Sequence, residues 1–83
     1  MPSLAIVEGA NILMYANDHP PPHFHILFAE YRAVIDIRTL KLTRGELPRA
    51  KLKAIIKWAT PRRVQLLQAW EVTQLQLIPE RIR

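Results

Sequence analysis

With 83 residues and no cysteine, the chain is expected to form a single domain over residues 1–83. It should bury only about 60–65% of its unfolded surface, with neither a disulfide framework nor a thiolate zinc site to support it. A net charge of +5 conceals a partition: residues 1–31 carry Glu8, Asp18 and Glu30 without a lysine or arginine, whereas all 12 basic residues lie between Arg32 and Arg83. Such a basic half suits a polyanion such as RNA or an acidic protein partner, and excludes little else.

No apolar run approaches the roughly 18–20 residues that cross a bilayer. The start of the chain lacks the basic region of a signal peptide, and Glu8 and Gly9 break its apolar run. A soluble cytoplasmic protein without a membrane partner is expected. A core this small also gains from association, so a protein partner or a homo-oligomer is compatible with it.

The first elements read as a hairpin of residues 4–7 and 12–16, with Glu8-Gly9-Ala10-Asn11 as the turn. A proline-rich loop follows, and then Phe24, Ile26 and Phe28 alternate with His23, His25 and Leu27 at the period of a strand with one buried face. The next strand alternates Ala33, Ile35 and Ile37 against Val34, Asp36 and Arg38. Parity puts His23, His25 and Asp36 together, opposite the core. A turn at Ala29-Glu30 sets Asp36 across from His23; a turn at Glu30-Tyr31 sets it across from His25. Leu40 and Leu42 are expected to continue into a short edge strand before Gly45.

From Pro48 the period becomes helical. Leu52, Ile55, Ile56 and Ala59 form the apolar stripe, and Arg49, Lys51, Lys53 and Lys57 take much of the remaining surface. Thr60-Pro61 reads as an N-cap and first helical position, which predicts a second helix starting there, with the broader stripe Val64, Leu66, Leu67 and Trp70. The tail from Pro79 is expected to be irregular. The predicted fold is α+β: an antiparallel sheet of two hairpins and a short fifth strand, followed by two helices on one face.

Chemistry concentrates in Asp18-His19-Pro20-Pro21-Pro22-His23-Phe24-His25, which holds every histidine of the chain. Proline restricts both its own backbone and the preceding residue, so the loop is pre-shaped. His23 and His25, sent to one side of a strand, can supply two ligands to zinc or another divalent transition metal, with His19 or Asp18 completing the set. The same groups suit a ribonuclease-like hydrolase. Imidazole, with an unperturbed pKa of about 6.5, can give or take a proton as RNA cleavage through its own 2′-hydroxyl requires. In that reading His19, His23 and His25 carry the catalysis, Asp36 orients a ring, and Tyr15 or Arg38 stabilises developing charge.

Against these stands a plain alternative, in which histidine and aspartate are only polar partners on a solvated sheet face or in a protein interface. Trp58 and Trp70 fit helical patterns and read as core or interface anchors rather than base-stacking platforms. For a binding module without catalysis, the partner surface would be Arg38, Lys51, Lys53, Lys57, Arg62 and Arg63, whose charge would give a salt-dependent affinity.

The string Met14-Tyr15-Ala16-Asn17-Asp18-His19-Pro20-Pro21-Pro22-His23-Phe24-His25, followed by Ala33-Val34-Ile35-Asp36-Ile37, resembles the small bacterial domain-of-unknown-function family 4160. The similarity extends to the Leu47-Pro48 helix entry, Trp58 and Trp70, and the family motif falls on Tyr15, Asp18, His19, Pro21, Pro22, His23, Phe24, His25 and Asp36. Members tend to carry glycine at the tip held here by Ala29-Glu30. The resemblance implies a gene often found beside one for a protein of unknown-function family 2442, an arrangement similar to a toxin–antitoxin pair. It transfers no catalytic assignment.

Overall fold

A computed structural model describes residues 3–79 together with Arg81 and Ile82. Five strands form one antiparallel sheet in sequence order: β1 (Ala5–Val7), β2 (Ala10–Leu13), β3 (His23–Phe28), β4 (Tyr31–Asp36) and β5 (Leu42–Gly45). A helical run follows, comprising α1 (Arg49–Ala59), a 3-10 turn (Thr60–Arg62) and α2 (Arg63–Gln74). The fold is α+β, as the change of period from two to 3.6 indicates.

The first hairpin is tighter than the sequence suggests. Glu8 and Gly9 both have positive φ, 48° and 84°, the signs of a two-residue type I′ turn. Ala10 and Asn11 therefore belong to β2, opposite Val7 and Ile6. At the second hairpin the turn is Ala29-Glu30, which pairs His23 with Asp36 and His25 with Val34. Ala29 has φ 52°, in the region where glycine is least strained. Leu40 lies in the β4–β5 turn with φ 57° and is buried. Gly45 ends β5 with φ 79°, and a Cβ there would lie 2.1 Å from the Arg32 carbonyl oxygen, so only glycine fits this approach of β5 to β4.

One face of the sheet makes the core. Ile12, Phe24, Ile26, Ile35 and Ile37 are fully buried against Ile55, Ala59 and Leu66 of the helical run. Phe28 shares their parity but is only half-buried at the end of β3, packed against the cluster's rim.

The helical run departs from the expected pair of separate helices. Thr60 has α-helical dihedrals and its backbone N–H still bonds the Ile56 carbonyl, so the chain continues through Pro61. Pro61 lacks an N–H and crowds the preceding turn, and the backbone there tightens into the 3-10 form. The Thr60 hydroxyl donates back to Ile56 O at 2.7 Å instead of capping a new helix. The buried stripe of α2 is Leu66, Ala69, Trp70 and Thr73, at the spacing i, i+3, i+4, i+7; Val64 is exposed and Leu67 only partly buried. After α2 the tail is irregular. Ile82 N–H bonds the Leu4 carbonyl at 2.9 Å and thereby ties the tail to the start of the sheet, while Glu80 and Arg83 lie outside the described residues.

Candidate functional site

The polar face of the sheet follows from the same alternation that builds the core. Leu13, His25, Val34 and Arg44 form one cross-strand row through β2, β3, β4 and β5. Beside it lie His23 and Asp36, and on the other side Leu27 and Arg32. Adjacent strands are about 4.8 Å apart, so Arg44 begins about 10 Å from His25.

The loop between β2 and β3 folds back onto this face. Asp18 N–H bonds Tyr15 O at 3.3 Å, and Ile37 N–H bonds Pro22 O at 3.0 Å, which fixes both ends of the proline segment. The Gln74 side-chain amide, from the last turn of α2, can donate to Ala16 O at 3.3 Å and Asp18 O at 3.1 Å. Trp70, one turn earlier, packs its ring 5.0 Å from that of His23. The helical run thus supports the loop from behind.

These constraints bring Asp18, His23 and His25 to one point. Nε2 of His25 lies 2.7 Å, and Nε2 of His23 3.0 Å, from the same carboxylate oxygen, Asp18 Oδ2. The side chains remain reachable, with 16% of His23 and 25% each of His25 and Asp18 exposed. Both rings are held from behind: Nδ1 of His23 is 2.8 Å from Pro21 O, and Tyr15 packs edge-on against His25 at 4.5 Å. His23 therefore presents both ring nitrogens to oxygen acceptors. A neutral imidazole carries one N–H and can satisfy one of them.

The cluster opens into a cleft of about 380 Å³ whose lining includes His19, Asp36, Val34, Thr43 and Arg44. A second hollow of about 310 Å³ continues past His25 and Val34 to Tyr15, Arg32 and Arg44. Asp36 is turned partly to structural work, since its Oδ1 accepts the N–H groups of Arg38 (2.7 Å) and Thr39 (3.2 Å) in the turn after β4. His19 is exposed on the cleft wall and is not in the close set of Asp18, His23 and His25. Among the described residues, a larger groove of about 640 Å³ between α2 and the tail is lined by no histidine or carboxylate.

The basic residues named from sequence are dispersed. Lys51 is half-buried: its ammonium donates to Glu8 O at 2.6 Å and sits 4.5 Å from the centre of the Phe28 ring, clamping α1 to the first hairpin. Arg62 lies over Trp58 and donates to its carbonyl at 2.7 Å. Arg38, Lys53, Lys57 and Arg63 are exposed. Arg44, Arg32, Thr43 and Gln74 were not singled out by sequence. The parity of β4 puts Arg32 on the face of Val34 and Asp36, but nothing local marks Gln74 as reaching the histidine loop.

Among the described residues no helix is long and apolar enough to cross a membrane. Comparison with curated proteins and with solved structures gives no match. The family described as "Domain of unknown function (DUF4160)" matches residues 9–71, a span that includes every residue of the cleft and both rings behind it, and the chain belongs to that family.

Proposed function

We propose that this protein acts on RNA at the cleft beside Asp18, His23 and His25, as a cytoplasmic component of a toxin–antitoxin type of module. The observation that carries the reading is the row His25–Val34–Arg44. A guanidinium and a hydroxyl-bearing neighbour, Thr43, line the same cleft as the histidine–aspartate cluster. Arginine binds phosphate oxygens through a planar fork of donors, and Arg32 and Tyr15 in the adjoining hollow offer a second phosphate contact and a ring face for a base. Lys51 and Arg62, by contrast, are engaged within the fold, which favours the sheet face over the helices as the route of an RNA strand.

Binding and cleavage of a labelled single-stranded RNA test this reading. Arg44→Glu should weaken binding by about tenfold or more, whereas the pair Lys53→Glu, Lys57→Glu should change it by no more than about threefold. The reverse order would transfer the function to the helices.

A second reading has its own support. Leu75, Leu77 and Ile78 are 71%, 61% and 78% exposed directly after α2, an apolar patch suited to a protein partner. We take that partner to be of the unknown-function family 2442 type, with the chain as an antitoxin-like binding module. Co-purification with the product of the neighbouring gene, lost in Leu77→Asp, Ile78→Asp and kept in His25→Ala, would favour this reading.

A further inference from the structure

We propose that Asp18 Oδ2, His23 Nε2 and His25 Nε2 form a binding site for one divalent transition-metal ion, of the zinc, iron(II) or nickel class. The inference concerns the cluster already described, but its test reads metal binding alone. It therefore fails or stands separately from any action on RNA.

Three features of the cluster favour an ion. The first is convergence. Two imidazole nitrogens and one carboxylate oxygen lie within 4.8 Å of one another, and both nitrogens meet the same oxygen, Asp18 Oδ2. Ligand atoms at about 2.1 Å from an ion are separated by about 3.0 Å in octahedral and about 3.4 Å in tetrahedral geometry. The separations at Asp18 are 2.7 Å and 3.0 Å, so they need to open by at most about 0.3 Å for an octahedral ion and by about 0.4–0.7 Å for a tetrahedral one. A metal-free acid–base pair of histidines cutting RNA in line would instead need one nitrogen on each side of a phosphorus atom. Here both reactive nitrogens face one carboxylate oxygen.

The second feature is the hydrogen account of His23. If the ring is neutral and its Nδ1–H donates to Pro21 O at 2.8 Å, Nε2 carries a lone pair and meets the Asp18 oxygen at 3.0 Å with no hydrogen between them. A cation between these atoms removes the conflict. A backbone carbonyl holding Nδ1–H is also the usual way a protein fixes the tautomer of a metal-binding histidine. The rival occupant is an extra proton on His23.

The third feature is the donor chemistry. Two nitrogens and one oxygen without thiolate suit borderline transition metals rather than magnesium or calcium, which prefer sets of oxygens. Three protein ligands leave positions open, and those positions face the cleft that His19, Asp36 and Arg44 line. An open metal site is a chemical rather than a purely structural one.

The experiment is a titration of the full metal-stripped chain with zinc, read by calorimetry and by the ring-nitrogen NMR signals of the histidines. One equivalent should bind. Nε2 of both His23 and His25 should shift as metal-bound nitrogens while Nδ1 of His23 stays protonated. Asp18→Asn, which keeps the shape of the side chain, and His25→Ala should each weaken binding by about 100-fold, with helix and sheet content unchanged by circular dichroism. His19→Ala should stay within about threefold of the wild type, since His19 is outside the close set. Cobalt(II) in place of zinc should give visible absorption that reports the coordination number. Absence of binding to the wild type, unchanged ring nitrogens at one equivalent, or equal affinity in the His23→Ala, His25→Ala double variant would overturn the proposal. An Nε2 hydrogen on His23 that persists with excess zinc would assign the position to a proton instead. A loss of 100-fold in His19→Ala would overturn the assignment of the three ligands.

Discussion

The two faces of the sheet are built from alternate residues of the same strands and behave as two different materials. On one face Phe24, Ile26, Ile35 and Ile12 have no exposed surface and close against the helical run. On the other, His23, His25, Val34 and Asp36 are half-buried and border an open cleft. A period of two separates them, so neighbouring residues on β3 serve stability and chemistry independently. The helical run shows how much the distinction depends on position: Lys51 and Arg62 have the sequence appearance of solvated charge, yet one clamps a hairpin and the other covers a tryptophan.

The sharpest contrast is between adjacent residues. Phe24→Ala should cost about 3–5 kcal/mol, the range for truncating a fully buried phenylalanine, and lower the thermal midpoint accordingly. His25→Ala should change the stability of the metal-free protein by no more than about 1 kcal/mol, while weakening the metal binding proposed for the cluster. Comparable losses in chemical denaturation for the two variants would break the division between faces.

Gly45→Ala should cost about 2–4 kcal/mol, because the new Cβ meets the Arg32 carbonyl and the residue keeps a positive φ. Since β5 carries Thr43 and Arg44 into the cleft, this change should also weaken the RNA binding proposed for that cleft without touching a histidine. Normal denaturation together with normal binding would show that β5 does not position Arg44.

A smaller effect tests the helix. Lys51→Met should destabilise by about 1–2 kcal/mol through loss of a charged hydrogen bond and a cation–π contact. Lys53→Met and Lys57→Met, at exposed positions, should stay within about 0.5 kcal/mol. Equal effects in all three would return Lys51 to the solvated surface. The smallest change expected is a gain: Ala29→Gly relieves the left-handed φ of the hairpin tip and should add about 0.5 kcal/mol, visible as a higher denaturation midpoint.

Alternation made the partition of β3 and β4 legible in the sequence, and with it the shared face of His23, His25 and Asp36. The choice between the two turn registers was not legible, because neither Ala29-Glu30 nor Glu30-Tyr31 contains the glycine that marks a positive φ. Asp18 was recognisable as a titratable neighbour of the histidines, but its place between them goes with contacts from α2, Gln74 to the loop backbone and Trp70 to the His23 ring, that no local pattern encodes. Thr60-Pro61 has the composition of a helix start, yet a 3-10 turn lets the backbone pass through it. The exposed Val64 and buried Thr73 follow from that continuous path, along which α2 turns a different stripe to the sheet.

In the proposed metal site Asp18, His23 and His25 share a single ion on the polar side of the sheet. A crystal of the full chain grown with zinc and measured on either side of the zinc absorption edge tests it directly. One anomalous peak is expected about 2.0–2.2 Å from Asp18 Oδ2, His23 Nε2 and His25 Nε2, with Nδ1 of His23 still on the Pro21 carbonyl. A peak bound to His19 without Asp18, or no peak at the cluster in zinc-saturated crystals, would contradict it.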